Sequence, residues 1–131
     1  MPITIKNDKD HDFVEIVAEG SITDDDMFAC QQSLYEKEPM CYQLWDMSAT
    51  DLSGITAKNL RRFVDIASEK GKARQGCRTA VVVQSSLQYG LGRMAQAFAE
   101  IEKLPYFMKL FKNRAEALAW LELAREGNNK A

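Results

Sequence analysis

Residues 44–63 read LWDMSATDLSGITAKNLRRF, and this stretch decides the class of fold. Tyr42-Gln43-Leu44-Trp45-Asp46-Met47 is short and mostly apolar, as a central strand covered on both faces is, and it ends near Asp46. The loop SATDLSGI follows. Leu60, Phe63, Val64 and Ala67 then recur at i, i+3, i+4 and i+7, the period of an amphipathic helix, with Gly71 placed to cap its carboxyl end. A strand that passes through one loop into one helix is the building unit of an α/β sheet.

The same alternation continues on both sides. Upstream, Ile3 and Ile5, then Phe13, Val14, Ile16 and Val17, mark two strands around the polar turn NDKDHD, a hairpin closed by Gly20. Thr23 is placed to cap a first helix whose opening acids, Asp24, Asp25 and Asp26, suit the positive end of its dipole. Met27, Phe28, Leu34 and Tyr35 give its apolar stripe, and Pro39 ends the segment. Downstream, Thr79–Val83 is a β-branched run suited to a buried strand, and Ser85 or Ser86 can cap the helix that follows. Leu87, Leu91, Met94, Phe98 and Ile101, at steps of 4, 3, 4 and 3, predict that helix's buried face. Pro105 stops it, Tyr106–Phe111 forms a fifth strand, and Asn113-Arg114-Ala115-Glu116 opens a last helix carrying Leu118 and Leu121, before Gly127 and the tail fray.

The order β-β-α-β-α-β-α-β-α predicts right-handed crossovers and a mostly parallel five-stranded sheet with an N-terminal hairpin strand and four helices. Ligands of such sheets gather beyond the carboxyl ends of the strands, so the loops after Asp46, Gln84 and Lys112 are where function is expected.

Composition narrows the class. The chain has 131 residues, 46% apolar and 27% charged, with a net charge of −2, which reads as one globular domain spanning 1–131. No run approaches the roughly 20 apolar residues of a membrane span, and MPITIKNDKDHD lacks a signal-peptide core, so a cytoplasmic protein is expected. Charge is uneven: residues 1–51 hold 3 basic and 12 acidic side chains, residues 52–131 hold 14 and 7. Opposed halves of this kind could attract each other in a homodimer. Lys58, Arg61, Arg62, Lys70, Lys72, Arg74 and Arg78 cluster in and after the second helix, a solvated face or a surface for an anionic partner. The negative total and the lack of a basic strip interleaved with aromatics argue against nucleic acid.

Cys30, Cys41 and Cys77 are odd in number and widely spaced, which predicts reduced, packed thiols rather than a disulfide framework or a zinc site. His11, the only histidine, belongs to the polar turn. No G-x-S-x-G, H-E-x-x-H or P-loop occurs, so no enzyme, metal or cofactor is predicted.

The segment from Leu44 to Phe63, with D-x-S-G at Asp51, Ser53 and Gly54, resembles STAS domains. With Trp45-Asp46 in the third strand and Tyr89-Gly90-Leu91-Gly92-Arg93-Met94 downstream, the chain is similar to the bacterial SpoIIAA-like family of STAS-related proteins, over residues 2 to about 123. The resemblance implies a STAS-like β-α superhelix and a noncatalytic regulatory or protein-interaction module with a protein partner. It also implies a site drawn from Trp45, Asp46, Asp51, Ser53, Gly54, Tyr89, Gly90 and Arg93. The usual phosphoacceptor place of D-S-S-G holds Leu52 here, and Ser53 matches the second serine. Ser53 is either a cap or turn residue or a phosphoacceptor facing Arg61 or Arg62. Tyr89 and Arg93 could hold an anion together, or Arg93 could pair with Asp46 or Asp51. Gly90 and Gly92 are expected to give close packing. The alternative function is a small-ligand binder, for a lipid or an anion, as in the CRAL-TRIO carriers of the broader fold group, which needs an apolar pocket of several hundred Å³.

Overall fold

The computed structural model describes residues 2–129, with side chains through Glu122. Five strands, β1 (Ile3–Asp8), β2 (Phe13–Ser21), β3 (Tyr42–Asp51), β4 (Arg78–Val82) and β5 (Phe107–Phe111), lie in one sheet in chain order. Only β1 runs antiparallel to its neighbour; β2 to β5 are parallel, linked by α1 (Asp24–Tyr35), α2 (Ala57–Lys70) and α3 (Ser86–Ile101), with α4 (Arg114–Asn129) at the end. The hairpin turn NDKDHD winds into a single 3-10 turn, Lys9–His11, in which the His11 ring meets the Asp8 carboxylate at 2.8 Å.

The capping residues act as their chemistry predicts. Thr23 and Asp26 close a reciprocal box at the start of α1, Ser85 and Gln88 do so for α3, and Thr56 accepts from the Asn59 amide at α2. Three boundaries differ from expectation. β2 runs through Gly20 to Ser21, and β3 continues past Asp46 to Asp51, because Glu19, Gly20 and Ser21 stay paired with Ala49, Thr50 and Asp51 beyond a bulge. α4 continues through Gly127 to Asn129; the rest of the tail lies outside the described residues.

Strand alternation sends side chains to two cores. Val14, Ile16, Trp45 and Met47 face α1 and α2, while Tyr42, Leu44, Ala80 and Val82 meet Ala117 and Leu121 of α4. Leu60 and Val64 of α2 pack on Ala95 and Ala99 of α3.

The orientation of α3 corrects the face predicted for it. Gln88, Ala95 and Ala99 are its buried residues, and Leu91 and Phe98 are partly buried, but Leu87, Met94 and Ile101 stand outside. Small residues let the helix come close: a Cβ on Gly92 would lie 2.9 Å from a terminal carbon of Leu110. Gly90, expected to pack closely, has nothing within 4 Å of where its Cβ would stand.

A second correction concerns the thiols. Cys41 and Cys77 form a disulfide, with Cα atoms 5.0 Å apart. Each precedes by one residue a matched pair of the β3–β4 ladder, Tyr42 and Arg78, so parallel pairing brings together cysteines that are 36 positions apart. Cys30 alone remains a free thiol; burial pushes its pKa up to about 12.

The basic cluster is not one solvated face. Arg74 is fully buried, donating to the carbonyls of Met40, Cys41 and Arg78 and lying 4.2 Å from the Tyr106 ring centroid. Arg78 stacks over Trp120 at 4.6 Å.

Candidate functional site

At the carboxyl ends of the strands, polar groups tie three loops together. Asp24, at the start of α1, accepts from the Thr56 amide and hydroxyl and from Asn59 Nδ2 at 2.8 Å; that last bond chiefly holds its carboxyl below the ordinary range. Asp51 accepts from the Ser53 amide at 2.9 Å, which lowers its pKa and forms an Asx turn, and its own carbonyl accepts from Ile22 N–H. Buried Gln88 is the bolt: its Oε1 accepts from the amides of Gln84 and Ser85, and its Nε2 donates to the carbonyls of Ser48 and Thr50. The start of α3 is thereby fastened to the end of β3.

The residues singled out from the sequence divide among three places. Asp51, Ser53 and Gly54 share the turn between β3 and α2, where a Cβ on Gly54 would lie 3.4 Å from the Ile22 carbonyl. Ser53 is exposed, but Arg61 pairs with Glu102 at 3.3 Å and Arg62 stacks over Phe28, so neither guanidinium is placed at Ser53. Leu52 is a core residue.

Trp45 and Asp46 point to opposite faces. The buried Trp45 donates its Nε1–H to Gln43 at 3.1 Å and meets Phe63 edge-on at 5.9 Å. Asp46 accepts from the amide and hydroxyl of Ser48, on the face where Arg114 grips Glu15 with two bonds of 2.7 and 2.9 Å. That grip is what chiefly lowers the Glu15 pKa.

Tyr89 and Gly90 are exposed on the first turn of α3, and Arg93 lies one turn further. Arg93 pairs with neither Asp46 nor Asp51 and makes no ion pair among the described residues. It lines a groove of about 490 Å³ between α3 and the edge strand β5, together with Gln96, Glu100, Lys103 and Phe107.

Two features went unread in the sequence. The first is the grouping of exposed apolar residues: Leu87 (47%), Tyr89 (49%), Met94 (36%), Ile101 (60%) and Phe107 (63%) all belong to α3 or adjoining β5. The second is an internal apolar cavity of about 120 Å³ between the sheet and α1 to α3. On its floor Gln43 and Thr79 are neighbours in register, and Gln43 Nε2 and Thr79 Oγ1 are buried without a hydrogen-bond partner. Because the Trp45 N–H can only donate, Gln43 must turn its oxygen toward it, and the amide nitrogen is left as the unpaired donor.

Comparison with solved structures places this geometry. The crystal structure of an uncharacterized DUF3478-family protein with a SpoIIAA-like fold, from Shewanella loihica PV-4, matches with 25% identity and a TM-score of 0.57 over 91% of each chain. The fold is SpoIIAA-like. The resemblance carried by Trp45-Asp46, D-x-S-G and the Tyr89–Met94 segment is borne out by that neighbour, which supports a SpoIIAA-like family. No family model matches the sequence, and no curated protein matches it. Among the described residues, no helix of this SpoIIAA-like chain is long and apolar enough to cross a membrane.

Proposed function

We propose that this chain is a noncatalytic, STAS-type interaction module that presents the outer side of α3 and the neighbouring edge of β5 to a protein. The observation that carries this reading is that every large exposed apolar side chain among the described residues lies on α3 or on the neighbouring β5. Scattered single apolar residues need no explanation, whereas a contiguous patch rimmed by charge is the usual form of a protein contact. Arg93, Glu100 and Lys103 supply that rim, and they call for a partner whose apolar surface is flanked by both signs of charge.

The state of the groups able to do chemistry supports the noncatalytic part. Two thiols are joined in the disulfide, the third is buried with its pKa raised, and the imidazole is engaged with Asp8 at the hairpin. A thiol so placed is a poor nucleophile. Ser53, set in its Asx turn away from Arg61 and Arg62, reads as a turn residue rather than a phosphate acceptor.

A second reading rests on the cavity. Its roughly 120 Å³ falls short of the several hundred that a lipid needs, and stands nearer the ~150 Å³ of an engineered cavity that accepts benzene. The unpaired Gln43 amide would favour a small, mostly apolar molecule carrying a hydrogen-bond acceptor.

One preparation tests both. A photo-crosslinking residue is placed at Ile101, with exposed Glu36 as the control position, in protein made in its own cells. A protein adduct formed from position 101 but not 36, and reduced by Met94→Glu, is expected; no adduct from position 101 overturns the interaction reading. Native mass spectrometry of the same protein would show a retained small molecule, lost in Gln43→Leu, if the second reading holds, and a bare chain if it does not.

A further inference from the structure

We propose that the protein docked on this face is a second copy of the chain, its α3 lying antiparallel against α3 of the first across a two-fold axis. This rests on the α3–β5 face being the interaction surface, and it names the occupant.

Five exposed positions on α3, Leu87, Gly90, Met94, Ala97 and Ile101, follow one another at steps of 3, 4, 3 and 4. That spacing is a heptad seam, a single apolar stripe of the kind that packs helix on helix. It lies outside the fold, since the residues turned inward are Gln88, which reaches β3, and Ala95 and Ala99, which pack on Leu60 and Val64 of α2. Along the seam large and small side chains alternate.

The alternation makes the stripe complementary to its own reverse. When Met94 sits opposite Ala97 of the second copy, Ile101 falls opposite that copy's Gly90, and the two-fold axis repeats both contacts. Met94 and Ile101 then each meet a small side chain, Leu87 lies past the end of the second copy's helix, and Gly90, which has open space above it, leaves a hollow for the incoming isoleucine. A parallel pairing would instead put Met94 on Met94 and Gly90 on Gly90, crowding one level and leaving the next empty.

Charge selects the same register. Arg93 and Glu100 lie seven residues apart on one flank of the seam, and neither forms an ion pair among the described residues. In the antiparallel arrangement Arg93 comes within two residues of the level of Glu100 of the second copy, about 3 Å along the axis at a rise of ~1.5 Å per residue. The axis creates this pair twice. In the parallel arrangement the same flank of the two copies lies on opposite sides of the interface, so Arg93 and Glu100 of the two copies could not meet.

The mechanism expected from the whole sequence, attraction between an acidic and a basic half, is thereby replaced by a local one. An apolar seam sets the affinity and two flanking ion pairs set the direction. The pairing should therefore persist in salt better than a contact built on net charge alone.

The test is sedimentation equilibrium of the full chain over a micromolar-to-millimolar series, with charge reversals and a thiol probe. Arg93→Glu and Glu100→Arg, each replacing two attractive contacts by two repulsive ones, should each raise the dimer dissociation constant roughly tenfold. The double reversal should return it to within about threefold of the original. Chains carrying Met94→Cys mixed with chains carrying Ala97→Cys should form a covalent heterodimer on mild oxidation, because these two positions face each other in this register, while Cys41 and Cys77 are already paired and Cys30 is buried. Far-UV circular dichroism of each variant checks that the fold is kept.

A chain that stays monomeric throughout the series overturns the proposal; if the adduct from position 101 is then another protein, the interaction reading stands without it. A dimer that is indifferent to the reversals, and that oxidation of the mixed Met94→Cys and Ala97→Cys chains does not crosslink, is a dimer of some other face, and overturns it too. Absence of both dimer and adduct removes both readings together.

Discussion

On its inner side α3 sets Gln88, Gly92, Ala95 and Ala99 against the rest of the fold, and on its outer side it holds Leu87, Met94 and Ile101 in solvent. The large apolar side chains are thus shared between the two sides, Leu91 and Phe98 partly buried and Leu87, Met94 and Ile101 exposed, whereas a surface helix usually buries them. α2, one position along in the same layer, keeps the ordinary plan, with Leu60, Val64 and Ala67 buried and Lys58, Arg61 and Arg62 outward. On α3, unlike α2, it is small side chains that are the most fully buried. On that inner side Gly92 takes Leu110 of β5, Ala95 and Ala99 take Leu60 and Val64 of α2, and the same small residues border the apolar cavity.

The two glycines of α3 should show the largest difference between the inner and outer sides. Gly92→Leu must force a branched side chain into space where even a Cβ lies 2.9–3.0 Å from Leu110, and overpacking of that kind should cost about 3 kcal/mol despite ~1 kcal/mol gained in helix propensity. Gly90→Ala, with nothing within 4 Å, should instead stabilise the folded monomer by up to about 1 kcal/mol. Urea denaturation of the two variants measures the contrast, and equal effects would mean that the inner side is not closely packed.

The polar part of the inner side gives the next effect. Gln88→Ala removes one side chain that serves the amides of Gln84 and Ser85 and the carbonyls of Ser48 and Thr50. Leaving part-buried backbone groups unpaired should cost about 2 kcal/mol, and amide exchange should quicken at Gln84 and Ser85 before it does in β4. Protection unchanged at those two amides would show that the bolt is not what fastens α3 to β3.

The sequence made the order of elements legible because apolar period, caps and turn residues agree from Thr23 to Glu116. It also held an unused signal about the site. Strand alternation alone sends Trp45 and Asp46 to opposite faces, so they could never have shared a pocket. Other features need the assembled sheet. The Cys41–Cys77 bond depends on the β3–β4 register, to which a separation of 36 residues gives no clue. The period of Leu87, Leu91, Met94, Phe98 and Ile101 fixes a helix, but it cannot say whether the stripe faces inward or outward, since a seam for a second helix and a face for a sheet share the same spacing. Arg93, expected to reach the strand ends, lies instead on the β5 side, because Gln88 rather than Tyr89 points back to β3.

The smallest predicted effect on folding is the one that separates the two sides most cleanly. Ile101→Ser removes a large apolar side chain that is 60% exposed, and serine has nearly the helix propensity of isoleucine, so neither burial nor backbone preference should change much. Folding stability measured on dilute, monomeric protein should move by less than about 0.5 kcal/mol. At concentrations where the seam is occupied, the same substitution takes away the side chain that fills the hollow at Gly90 of the second copy, and the apparent melting temperature should fall because the association that stabilised the folded chain by mass action is weakened. A loss near 2 kcal/mol in the dilute protein would place Ile101 in the core and end the contrast between inner and outer side, while equal small losses at every concentration would leave the contrast standing and remove the second copy from the face.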